Sequence, residues 1–373
     1  MTRDVKFSRR TLMSGAAYGA SAALVGGFPG MRALAADSMV VGALYVGPKD
    51  DYGWNQAHSE GVRALKGMRG VTVNEEERVP ETLEVQKSME SMIALDKASI
   101  IFATSYGYWD FMLKVAPKYP KAVLLHAGPE VWKDTMPKNV GSYNGYIDEA
   151  QYVAGIVAAG TSKTGKLGFV AAKPYPVAIR NINAFTLGAR SVNPKATTQV
   201  IFTGDWVLPV KEAESVNTLA DQGIDVVTCH VDSPKVVIET AEKRGVKTCG
   251  HAFDQGPLAP KGYITGADYN WIDMFETFVE TRQRGGTLPN FVTGGYDKDY
   301  VRSSPFGAGA TPEAINAATT AIQAMKNGDA IFVGPIMDNT GKLVVPAGTS
   351  YGPYADELQQ TDYLIQGVIG SIA

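Results

Sequence analysis

Between residues 39 and 267, short β-branched apolar runs alternate with stretches in which apolar positions recur every three or four residues. The runs are 39–46, 70–75, 98–103 (ASIIFA), 122–126, 166–172, 198–203, 225–229, 246–250 and 262–267. Each has the length of a strand. The intervening 83–95 sets Val85, Met89, Met92 and Asp96 on one side, at the period of a helix. Regular strand–helix alternation predicts parallel sheets with helices on both faces. The run 98–103 is apolar throughout, as a strand covered on both faces should be.

The rhythm breaks twice. Around 143–148 (YNGYID) a strand leads into a long amphipathic helix, EAQYVAGIVAAG, and around 253–262 (FDQGPLAPKG) a Pro/Gly-rich connection interrupts the alternation. Taking these breaks as crossings between two lobes predicts a first lobe of 37–145 plus 263–300. The second lobe is then 146–262 plus 301–373. In the tail, PIMDNTGKLVVPAG (335–348) has the form of a hairpin turning at Asn-Thr-Gly.

The first 35 residues stand apart. Ser8-Arg9-Arg10-Thr11-Leu12-Met13 is a twin-arginine sequence, followed by an uncharged Ala/Gly-rich stretch and by Ala33-Leu34-Ala35. This is the layout of a Tat export signal cut near Ala35/Ala36, which predicts a periplasmic protein. No cysteine follows the cut, so no lipid anchor is expected. Residues 1–35 carry five of the 35 basic and one of the 38 acidic side chains; the remainder, with 30 bases and 37 acids, has net charge −7. That balance argues against nucleic acid as a partner. Hydrophobic residues at 45% and charged ones at 20% belong to an ordinary globular chain long enough for two domains. The two cysteines, Cys229 and Cys249, end neighbouring apolar runs; two buried thiols fit that pattern better than a disulfide.

Catalytic signatures are absent, and no metal or cofactor set is expected. GTSKTGKL (160–167) imitates a phosphate-binding loop but has Leu167 where Ser or Thr should bind Mg²⁺, and it follows a helix instead of a strand. The four histidines, His58, His126, His230 and His251, are expected in ordinary hydrogen-bonding roles. The aromatic residues are more informative. Trp54, Tyr106, Trp109 and Trp206 all follow strand runs, where open α/β sheets bind ligands. Interleaved with Asn55, Asp110, Arg180, Asn183 and Asp254, they predict an apolar cleft with a few polar groups. Aromatic faces beside short amides and carboxylates suit a flat heterocycle with hydrogen-bonding edges.

The segments VGALYVGPKDDYGWNQAHSEG, ETLEVQKSMESMIAL, FATSYGYWDFMLKVAPKYP, RNINAFTLGAR and DYLIQGVIG, in that order, resemble the basic membrane protein family. These are substrate-binding proteins of ABC importers, related to the purine nucleoside receptor. The resemblance implies a type I periplasmic-binding fold, two doubly wound lobes joined by three crossovers and closing on a ligand. It also implies a base stacked between Trp54 and Phe185, with Asn55 and Asp110 on its edge and His58 capping or supporting the turn. Two sugar-binding positions of the family depart here: Ala252 stands for an Asp, although Asp254 is kept, and Tyr269 stands for a Lys. The expectation is therefore a monomeric receptor for a free purine base such as adenine, serving an inner-membrane permease. The alternatives are a nucleoside receptor or sensor, and a periplasmic nucleoside-processing enzyme.

Overall fold

The structure, a computed structural model, describes residues 38–128, 135–353 and 355–372. The export signal expected over 1–35 lies outside these residues. The first lobe runs β1 (Met39–Leu44), α1 (Trp54–Leu65), β2 (Val71–Glu76), α2 (Leu83–Ala94), β3 (Ala98–Ala103), α3 (Trp109–Val115), β4 (Val123–Ala127) and β5 (Val140–Gly145). The second runs α4 (Asp148–Thr161), β6 (Lys166–Ala171), α5 (Pro176–Val192), β7 (Thr197–Phe202), α6 (Pro209–Asp221), β8 (Val226–His230), α7 (Lys235–Arg244), β9 (Lys247–Ala252) and β10 (Tyr263–Tyr269). The chain returns to the first lobe for α8 (Ile272–Gln283) and β11 (Phe291–Gly294), then crosses back for β12 (Val301–Ser303) and α9 (Pro312–Lys326). The tail holds β13 (Phe332–Val333), β14 (Ile336–Met337), β15 (Leu343–Val345), β16 (Ser350–Tyr351), α10 (Asp356–Gln359) and β17 (Val368–Ile369).

The first sheet has strand order β11-β5-β4-β3-β1-β2, all parallel. The second is β12-β10-β9-β8-β6-β7-β17, parallel except for β12 against β10. Three crossings join the lobes, after β5, after β10 and after β11. The strand–helix alternation predicts these parallel sheets, and their arrangement is the α/β periplasmic-binding-protein fold that the family resemblance implies.

Local chemistry explains the elements. Thr82 caps α2, its hydroxyl accepting from the Glu84 N–H, and proline opens α5, α6 and α9 where a missing N–H costs nothing. Both faces of β3 are covered. Phe102 stacks on Phe275 of α8 at 4.1 Å on one side, and Ile101 joins Val85, Met89 and Met112 on the other. In the second lobe α4 and α5 pack backbone to backbone; a Cβ at Gly155 would collide with the Phe185 carbonyl oxygen.

Three expectations need correction. β10 belongs to the second sheet, so the return to the first lobe begins at α8 and not at 263. Proline and glycine over 253–262 exclude a long helix, but the segment simply carries the chain between the parallel neighbours β9 and β10. Asp96 lies beyond the end of α2 and is exposed, while Val85, Met89 and Met92 are buried as predicted. The phosphate-loop imitation does connect helix to strand, and Asp225 takes up its Ser162 hydroxyl and its Lys163 and Thr164 N–H groups. The tail hairpin forms between β14 and β15. Cys229 and Cys249 are free, buried thiols in separate core clusters on opposite faces of the second sheet.

Candidate functional site

The stretch Asp51-Tyr52-Gly53-Trp54 makes the tight turn from β1 into α1. The Asp51 carboxylate accepts from the Gly53, Asn55 and Gln56 N–H groups and from Asn55 Nδ2, at 2.7–3.2 Å. Burial raises the Asp51 pKa, and these donors oppose the rise. Asn55 Oδ1 in turn accepts from the Gly47 N–H. Trp54 is thereby fixed at the first position of the helix. Its Nε1–H donates to the Thr104 carbonyl at 2.5 Å, and His58 Nδ1 donates to the Trp54 carbonyl at 2.9 Å. His58 stacks on Trp271, which stacks on Tyr269 at 4.7 Å; the Tyr269 ring meets Trp54 edge to face at 5.2 Å.

Trp54 and Tyr269, backed by His58 and Trp271, line one corner of a cavity of about 210 Å³ between the lobes. The first lobe supplies Trp54, Glu81, Ser105, Tyr106 and Asn144; the second supplies Tyr175, Arg180, Trp206, His230, Asp232, Tyr269 and Gln359. Nearly all follow the carboxyl ends of strands, the position at which this class of sheet binds ligands. The lobes touch beside the cavity. The Trp54 N–H donates to the Asp232 carbonyl at 3.1 Å, the Ser233 hydroxyl to the Asp51 carbonyl at 3.2 Å, and Gln255 Nε2 to the Tyr52 carbonyl at 2.5 Å. Only glycine fits at position 53, since a Cβ there would fall inside contact distance of the Asp232 carbonyl oxygen and Pro234.

The structure brings Trp54, Tyr106, Arg180, Trp206 and Tyr269 to one cavity. It places the other expected residues elsewhere. Asn55 is buried in the turn, with both ends of its amide bonded as described. Trp109 is half-buried beside His126, and Asp110 is exposed in the first turn of α3; neither lines the cavity. Phe185 is fully buried and meets Phe169 edge to face at 5.8 Å, because α5 turns that position toward α4 and the sheet. Asn183 fastens the tail, donating to the Tyr363 carbonyl and accepting from the Ile365 N–H. Asp254 caps a short turn by accepting from the Gly256 N–H. Ala252 is buried, with φ +68° at the end of β9.

Arg180 enters the cavity wall as half of a buried ion pair: its side chain is 2% exposed, that of Asp148 1%, and Nε lies 3.1 Å from the carboxylate. Arg180 also donates to Gln359 Oε1 at 3.1 Å. His230 is held neutral, its pKa lowered to about 3 by burial, with the Arg180 charge adding to the effect. Its Nδ1 bonds Asn181 Nδ2 at 2.7 Å, and its ring lies 4.3 Å from that of His251. Among the described residues no group of three His, Cys, Asp or Glu could hold a metal.

Sequence reasoning passed over Glu81, Ser105, Asn144, Tyr175, Asp232 and Gln359, and gave His230 only an ordinary hydrogen-bonding role. For Tyr175, His230 and Asp232 the signal was available, since each follows a strand just as Trp206 does. Gln359 carries no such signal; it reaches the cavity only because the tail packs beside α5.

A profile of the family described as "ABC transporter substrate-binding protein PnrA-like" matches residues 38–331. A purine-binding protein of Brucella abortus is 33% identical over 87% of this chain and 92% of its own length. A putative ABC transporter glucose-binding protein of Haloferax volcanii is 28% identical over 88% of this chain and 80% of its own. Among solved structures, an ABC solute-binding protein from Conexibacter woesei superposes with TM-score 0.65 at 19% identity, covering 78% of this chain and 97% of that one. A solute-binding protein from Aeropyrum pernix does so with TM-score 0.63 at 19% identity, covering 78% and 92%. At such identities these two likenesses speak to the fold alone. The family and its relatives are substrate-binding proteins, which carry a small ligand to a permease and are not enzymes. With two lobes, three crossings, a cleft at the strand ends and a profile match over most of its length, this chain belongs to the Bmp family of PnrA-like ABC transporter substrate-binding proteins.

Proposed function

We propose that the protein is an exported, monomeric receptor that encloses a free purine base between its lobes and delivers it to an inner-membrane permease. The observation that carries this reading is the cavity itself. At about 210 Å³ it lies below the roughly 300–1,000 Å³ typical of sites for drug-sized ligands, which favours a base over a nucleoside. Tyr269 occupies the wall where the family's sugar-binding Lys is expected, and the cavity walls are rich in aromatic faces suited to a planar ring. Trp54 is the plate from the first lobe. Trp206 and Tyr175, 5.8 Å apart, offer the facing surface in place of the buried Phe185. The Brucella relative is named for purine binding, in keeping with this ligand class. Secretion through the twin-arginine signal belongs to the same proposal; among the described residues no helix is long and apolar enough to cross a membrane.

Calorimetry with adenine, adenosine and glucose on one ligand-free preparation tests the reading. Adenine is expected to bind most tightly. Tighter binding of adenosine would move the assignment to nucleosides, and tighter binding of glucose would replace purines with the sugar named for the Haloferax relative.

A further inference from the structure

The acidic groups around the cavity differ in one respect. Glu81 is committed to the turn after β3, accepting from the Ser105 hydroxyl at 2.5 Å and the Gly107 N–H at 2.9 Å. Asp51 is committed to the cap of α1, Asp148 to Arg180, and Asp205 to Lys173 at 2.8 Å. Asp232 lines the same cavity, yet among the described residues its carboxyl has no hydrogen-bond or ionic partner. Its backbone, by contrast, is held at both ends by the two tryptophans. The Asp232 N–H donates to the Trp206 carbonyl at 3.0 Å, and its own carbonyl accepts from the Trp54 N–H at 3.1 Å. The Asp232 backbone thus bridges a tryptophan of each lobe, and its side chain lines the cavity between them.

We infer that Asp232 is the residue that selects the ligand, by accepting an N–H from an amino group that sits beside a ring nitrogen. The half-buried Asp232 carboxyl has no protein donor, so a ligand that shuts water out of the cavity must supply an N–H to it or leave it unsatisfied at a cost in free energy. The surroundings favour such a donor: Asp51, Glu81 and Asp205 add negative charge, while the Arg180 guanidinium is already spent on Asp148. Burial and those neighbouring acids raise the Asp232 pKa. A protonated Asp232 still accepts the amino N–H on one oxygen, and it offers its own O–H to the adjacent ring nitrogen. The ligand class is therefore an amino-substituted heterocycle. The inference rests on the purine reading and narrows it to aminopurines with that edge.

The test is calorimetry with adenine and with unsubstituted purine, which lacks the amino group, on wild type, Asp232→Ala and Asp232→Asn. Wild type should bind adenine about tenfold or more tightly than purine. Asp232→Ala should lose about tenfold or more for adenine while purine changes little, so that the preference collapses. Asp232→Asn, which keeps the shape and one acceptor, should fall between them and carries the same comparison should the alanine variant fail to fold. Equal weakening of both ligands, or a wild type that does not distinguish them, would overturn the role of Asp232 alone. Failure of wild type to bind either ligand would overturn the purine reading, and this inference with it.

Discussion

The two walls of the cleft are built on different principles. On the first-lobe wall Asp51, Asn55, Glu81 and the Trp54 indole N–H all have partners within that lobe, while Asn144 Oδ1 is left buried without one. That wall presents an aromatic plate, Trp54, and one spare acceptor, Asn144 Oδ1. The second-lobe wall keeps capacity in reserve. Among the described residues the Asp232 carboxyl has no partner and Gln359 Nε2 is buried without one, while Arg180 is engaged with the opposite charge of Asp148. On the proposed reading, one lobe supplies a surface to stack on and the other supplies groups that read an edge. A ligand satisfies both only by bridging them, which is how binding energy becomes closure.

The contrast can be attacked where each wall is most committed. The largest effect should come from Arg180→Ala, which leaves Asp148 buried and unpaired; loss of one partner of such a pair costs about 3–5 kcal/mol. Chemical denaturation of the ligand-free protein would show it, and an unchanged midpoint would remove Arg180 from the rigid framework of the second wall.

The second-lobe side also keeps buried acids close to neutral pH. Burial lifts Glu149 to about 7, the Asp297 and Asp148 charges add to the rise, and the Tyr296 N–H opposes it; burial likewise lifts Asp268 to about 7. A raised carboxyl pKa means that the folded state holds its proton longer than the unfolded chain, so stability falls as pH rises from about 4.5 to 7. For Glu149 that fall is about 3 kcal/mol. Glu149→Gln should flatten the decline in unfolding free energy between pH 5 and 7.5. An identical slope in the variant would show that Glu149 ionises in the folded protein as freely as in the unfolded one.

On the first wall, Trp54→Ala should weaken base binding by about 1–3 kcal/mol, the worth of one stacked aromatic. The ring is only half-buried, and its loss should shift the ligand-free thermal midpoint far less than the Arg180 change does. Large destabilisation with binding intact would turn the plate into a core residue. Gly53→Ala sharpens the dependence on closure. The added methyl meets the second-lobe backbone, so affinity should drop about tenfold, or about 1.4 kcal/mol, while the ligand-free midpoint holds. The smallest effect is expected from Asp110→Asn: an exposed carboxylate outside the cavity should leave affinity and midpoint almost unchanged.

Much of the architecture was legible in the chain. A strand needs only a handful of neighbouring residues to declare itself, and β1, β3, β6 and β7 fall within one or two residues of the apolar runs that predict them. The rule that ligands gather at strand ends located Trp54, Tyr106 and Trp206, and the family resemblance singled out Tyr269. Helix positions were harder. Phe185 and Arg180 lie five residues apart on α5, yet one packs into the core and the other lines the cavity, a choice made by how α4 presses on that helix. The place where the chain re-enters the first lobe was also hidden, because a Pro/Gly-rich connection looks the same inside a sheet as between sheets.

The sequence by itself determined the strand–helix alternation, the family and the aromatic supply at the strand ends, since each depends on the order of residues along a few turns of chain. Only the tertiary structure decided which polar groups are spent and which remain free. Hydrogen bonding is a matter of proximity in space. Asp51, Glu81 and Asp232 are alike as carboxylates in the sequence. Their partners are set by a helix start, a neighbouring turn and the opposite lobe, and only folding leaves Asp232 facing the cavity without one.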